Sequence, residues 1–163
     1  MQERYSPVIS QFVDAERICS FVIGLFFLAI GIAGFIPSFV LMPEIAYNAQ
    51  LNLPSFTFTQ GYGNLLGLFP TNYLHNAVHI VVGILGIASA TSFTGAMVFN
   101  RGFAIVYTAI ALMGLLPMTN TTFGTMPIFG NNVWLNALTA AIAGYYGFYK
   151  PTTINDIGAS PSA

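Results

Sequence analysis

The chain has 163 residues, 55% of them apolar and 6% charged, where an ordinary soluble domain carries about 25% charged residues. Four Lys/Arg and five Asp/Glu cannot cover a water-facing surface, and a mean hydropathy of +0.72 points to an all-α integral membrane bundle. The net charge of -1 gives no basic face for nucleic acid, and the single cysteine, Cys19, allows neither an intrachain disulfide nor a thiolate metal cluster.

Residues 1–16 are mostly polar. The apolar run that follows is too long for a signal-peptide core, and no small-x-small site closes it, so a retained first span is expected. A bilayer core about 30 Å thick needs roughly 17–25 apolar residues per helix. Four segments meet or approach that length: residues 18–36, 73–93, 102–116 and 133–149. Pro37 and Pro117 stop the first and third. No Lys, Arg, Asp or Glu falls inside these bounds. Residues 1–150 are therefore read as one four-helix transmembrane domain, and residues 151–163, small and polar, as a flexible cytoplasmic tail.

Orientation follows from the basic residues. Arg4 and Arg17 precede the first span, Arg101 falls in the second loop, and Lys150 follows the fourth span. The two loops on the other side hold no Lys or Arg, which places both termini in the cytoplasm. Tyr73 and Trp134 then mark the outer boundary, and Tyr145, Tyr146 and Tyr149 the inner one. Small residues form stripes at helix-packing spacing: Gly24 and Gly31, then Gly83 and Gly86, then Ala137, Ala140, Ala141 and Gly144. Such stripes let helix backbones approach closely.

The long first outer loop, residues 37–72, is apolar and aromatic, with Glu44 its only charge. It is expected to lie against the membrane or cap the bundle, with a short interfacial helix over residues 64–69. Pro70 then breaks the chain, and Thr71 or Asn72 is expected to cap the second span. The densest polar cluster follows: Asn72, His75, Asn76 and His79.

His75 and His79 are four apart and share one helix face. An ionisable group about 10 Å inside a span marks a candidate functional site. The first-ranked reading is structural, with both rings hydrogen-bonded to outer-loop carbonyls. The alternatives are three. One histidine ligates a chlorophyll or similar porphyrin; or a haem takes a histidine and a second ligand from elsewhere, since two histidines on one face cannot reach one iron from opposite sides; or His75, His79 and Glu44 hold a metal.

The string from Gly67 through Pro70, Asn72, His75 and Asn76 to His79, with the Gly-rich run after it, resembles the signature of a bacterial membrane family catalogued as domain of unknown function 4383. The resemblance covers residues 17–148. It implies four spans and no assigned activity, and, since members are common in cyanobacteria and actinobacteria, a bacterial inner membrane or a thylakoid. The family often carries a second motif, Asp-Asn-x-Leu-His, opening the fourth helix. The matching stretch here is Asn132-Val133-Trp134-Leu135-Asn136, which keeps only the leucine. The resemblance therefore does not extend to a cofactor bridged between paired histidines of the second and fourth helices.

Three functions are ranked from these readings. First is a structural or accessory subunit of a larger membrane complex, for a cyanobacterial host a photosynthetic one. Second is a pigment- or haem-binding protein using His75 or His79. Third is a transporter, disfavoured by charge-free spans. No enzyme is expected: no nucleophile is paired with a base, and Cys19 lies across the membrane from both histidines.

Overall fold

A computed structural model describes residues 14–41 and 60–149. Glu44, Arg4, Lys150 and the tail lie outside these residues. Four α-helices fall within them: α1 (Ala15–Ala33), α2 (Tyr73–Ser89), α3 (Phe93–Leu115) and α4 (Asn131–Gly144), the last continued by a π-helical turn, Tyr145–Tyr149. Two of them, α1 with 19 residues and α3 with 23, are long and apolar enough to cross a membrane, while α2 is a shorter apolar helix.

The helices pack as two hairpins. α1 lies along α2, α3 lies along α4, and α1 and α4 barely touch. Glycine decides the first pairing. A Cβ on Gly24 would sit 2.6 Å from the Ile87 amide nitrogen and 2.8 Å from the Gly83 carbonyl oxygen. Backbone therefore meets backbone along this seam, as the small-residue stripes predict. Between the hairpins lies an aromatic core. Phe27 is fully buried and makes edge contacts with Phe103 at 5.3 Å and Tyr107 at 5.1 Å.

Side chains bind the helix ends through their carbonyls. At the end holding the start of α1, Arg17 Nε donates to the Ala90 carbonyl at 2.8 Å and Ser20 Oγ to that of Gly86 at 2.7 Å. Asn100 Nδ2 donates to the Glu16 carbonyl at 3.0 Å, and Arg101 Nε to that of Gly147 at 2.7 Å. The last four carbonyls of any helix lack intrahelical partners, and these donors supply some of them.

Helix boundaries differ from the sequence reading, most of all at the start of α3. The link between α2 and α3 is only three residues, 90–92, because Ser92 accepts from Gly95 N at 3.0 Å and starts α3 nine residues early. Arg101 thus lies within α3, not in a loop. Glu16 and Arg17 likewise sit in the first turn of α1. Arg17 and Arg101 reach carbonyls at that end of the bundle, while Glu16 is fully buried.

The expected interfacial helix at 64–69 is not formed. Instead β1 (Val40–Leu41), β2 (Gly63–Leu65) and β3 (Phe69–Thr71) make a small antiparallel sheet in that order, with Leu65 opposite Phe69 and Val40 opposite Leu65. The reversal between β2 and β3 holds Leu66 at φ 53° and Gly67 at φ 73°. Two successive left-handed residues close a tight hairpin and cannot continue a right-handed helix. Exposed Leu66 accepts that conformation at some cost, since positive φ is unusual for a residue with a Cβ.

Replacing Gly24 by Ala should force α1 from α2 and lower stability by about 1–3 kcal/mol. Gly102→Ala is the control: nothing lies within 4 Å of its Cβ position, so the exchange should be neutral or stabilising by up to about 1 kcal/mol. Thermal unfolding in detergent, followed by circular dichroism, compares the two.

Candidate histidine site at one end of the bundle

The end opposite Arg17 carries the polar cluster. Asn72 caps α2: its Oδ1 accepts from His75 N at 2.8 Å, and its Nδ2 donates to the Thr125 carbonyl at 2.8 Å. The cap therefore also ties α2 to the connection between α3 and α4. Asn76 is fully buried. Its Nδ2 donates to the Gly34 carbonyl just past α1 at 2.7 Å, while Thr71 Oγ1 donates to its Oδ1. Asn132, on α4, donates from one amide to two carbonyls, Pro70 at 2.7 Å and Pro127 at 3.0 Å. Pro70 serves this network as an acceptor.

His75 and His79 do share a face. Their ring centroids are 4.3 Å apart at an interplanar angle of 61°. His79 stands edge-on to Phe27 at 4.9 Å, so the pair roofs the aromatic core. Both are nearly buried, at 5% and 6% exposure.

The expected bonds to carbonyls of the first outer loop are made by asparagines instead. The carbonyl acting on His75 is Pro127, in the α3–α4 connection. His75 Nδ1 is buried with no hydrogen-bond partner. A buried polar atom left unpaired costs about 1–3 kcal/mol, and native proteins rarely keep one without a reason.

The two rings border a largely enclosed cavity of about 180 Å³, walled mainly by apolar groups including Phe26, Ile30, Leu65 and Leu135. The residues at this end can hold a small molecule against an imidazole. Drug-sized ligands occupy roughly 300–1,000 Å³, so a whole tetrapyrrole does not fit within this space. No group of three or more His, Cys, Asp or Glu side chains is placed to hold a metal among the described residues, and the suggested third ligand, Glu44, is outside them.

Sequence reasoning found Asn72, His75, Asn76 and His79 but missed Asn132 and Phe27; of the two cap candidates the structure uses Asn72, and Thr71 bonds Asn76 instead. Asn132 stood at a position read as a departure from a family motif.

The family model described as domain of unknown function (DUF4383) matches residues 17–149. The chain belongs to that family. No curated protein and no solved structure matches it.

Asn132→Ala would strip the donor from two carbonyls at once and should destabilise the protein by about 2 kcal/mol or more. Asn131→Ala, which removes an exposed bond to the Leu68 carbonyl, should cost no more than about 0.5 kcal/mol. Thermal unfolding of the two variants in detergent separates a network role from a general effect of losing an asparagine.

Proposed function

We propose that this family member is a four-span membrane protein, both termini cytoplasmic, that serves as an accessory subunit of a larger membrane complex and catalyses nothing itself. The observation that carries the reading is its surface. Large apolar side chains stand exposed on every helix, among them Val22 at 56%, Ile84 at 54%, Val98 at 67%, Ile105 at 63% and Trp134 at 73%. In water such a surface would aggregate; facing lipid or other helices it is at equilibrium.

Length is compatible with four spans. α2, with 17 residues, reaches about 26 Å at 1.5 Å per residue, and the π-helical turn extends the shorter α4. Arg17 and Arg101 share one end of the bundle, the pattern the positive-inside rule associates with the cytoplasm. Asn72, Asn76, Asn100 and Asn132 are engaged in holding backbone carbonyls. The polar interior is thus used for construction, and the apolar exterior is what remains for recognition.

A second reading, a pigment or haem protein, is favoured only by the buried His75–His79 pair. The cavity beside it is too small for a whole tetrapyrrole, so a ring could be ligated only at the outer surface.

Topology is tested in a Cys19→Ala background. On intact cells a membrane-impermeant maleimide should label Phe123→Cys and leave Thr91→Cys unlabelled until the membrane is opened. Labelling of both, or of Thr91→Cys alone, would remove the topology. In mild detergent the native protein should migrate with a complex far above its 17.5 kDa; migration alone, at its own size, would remove the accessory role. A visible absorption band travelling with the protein, lost in the His75→Ala/His79→Ala double variant, would promote the second reading.

A further inference from the structure

An open apolar groove of about 500 Å³ runs between α1 and α4, where the two hairpins barely meet. Its walls include Ile18, Val22, Leu138 and Ile142. At its upper end Phe26 and Leu135 belong both to this groove and to the enclosed histidine cavity. Two side chains are therefore shared between an open apolar groove and a cavity lined by the two imidazoles. Phe26 is 40% exposed.

Groove and cavity ask for different halves of one molecule. The cavity is mainly apolar, and its 180 Å³ is of the size that takes one six-membered ring; an apolar cavity of about 150 Å³ in another protein stays dry and binds benzene. His75, whose buried Nδ1 is without a partner, is one of the residues that line it. A hydroxyl can donate to a bare imidazole nitrogen or accept from a protonated one, so it satisfies either tautomer. The groove is walled mainly by apolar groups; its polar side chains are Thr139, whose hydroxyl is already bonded to the Leu135 carbonyl at 2.8 Å, with Cys19 and Tyr146. It suits a hydrocarbon chain.

We propose that this chain binds a membrane-dissolved alkyl or isoprenoid phenol, with the ring in the cavity, its hydroxyl on the His75 imidazole, and its tail along the α1–α4 groove. The ligand enters sideways, past Phe26 and Leu135. The proposal rests on the four-span reading only in that the groove then opens to lipid, and its test uses purified protein, so topology and binding fail separately.

The probe is tritiated para-dodecylphenol, with dodecylbenzene as the competitor lacking the hydroxyl. On the full chain in mild detergent, the phenol should bind saturably and about tenfold more tightly than dodecylbenzene, the effect expected of one hydrogen bond to an otherwise unpaired buried group. In His75→Phe that tenfold preference should vanish while the weaker binding of both compounds remains. Leu135→Phe, which adds bulk to a side chain shared by groove and cavity without touching the polar network, should weaken the phenol at least tenfold with unfolding temperature unchanged; it decides the matter if His75→Phe does not fold. No saturable binding, equal affinity for the two compounds in the native protein, or an unaltered affinity in folded Leu135→Phe would each overturn the proposal.

Discussion

A helix leaves its last carbonyls without partners, and in an apolar setting no solvent completes them. That constraint organises this protein. At one end Arg17 and Arg101 supply donors to such carbonyls, and at the other Asn76 does; Ser20, Asn100, Asn72 and Asn132 donate in the same way to backbone carbonyls elsewhere in helices, strands and connections. The donors sit on one element and the carbonyls on another, so satisfying the backbone also fixes how the elements lie. With so few polar side chains in the sequence, many serve two purposes. Asn72 starts a helix and anchors a loop, and Asn132 joins the two connections at its end of the bundle.

Between these polar layers, packing takes over. The α1–α2 seam is backbone against backbone at Gly24 and Gly83, and Phe27 gathers Phe103, Tyr107 and His79 around one ring. The aromatic cluster reaches up to the histidines, so the imidazole pair is the interface between the dry interior and the hydrogen-bonded cap. His79 is spent on the aromatic side of that boundary. The His75 ring keeps a buried nitrogen without a hydrogen-bond partner.

Much of this was legible in the residues. Hydropathy runs placed the helices, the Asn72 cap followed from the polar residue before an apolar run, and the glycine stripes foretold the tight seam. Two things were not. The stretch around Leu66 and Gly67 has helix-friendly leucines, and only the left-handed backbone at both positions, which composition does not display, turns it into a hairpin. Arg101 looked like a loop marker because charge was taken to end a span; in the folded chain the arginine reaches the end of the bundle from within α3, its guanidinium 5.5 Å from the Phe148 ring and bonded to the Gly147 carbonyl. The histidine pair was visible as a pair, but its surroundings come from α4 and from the α3–α4 connection, far away in sequence.

The bond from Arg17 to Ala90 joins residues 73 positions apart. Its two partners are therefore made at very different moments of synthesis. When α1 is complete, the carbonyl that will receive its arginine has not yet been translated, and it appears only as α2 ends. The three-residue link then brings α3 round at once, and with it Asn100, whose amide closes on Glu16. The beginning of the first helix therefore reaches its final bonding only after the chain has been made as far as Asn100, and the order in which the protein is made differs from the order in which it can be finished.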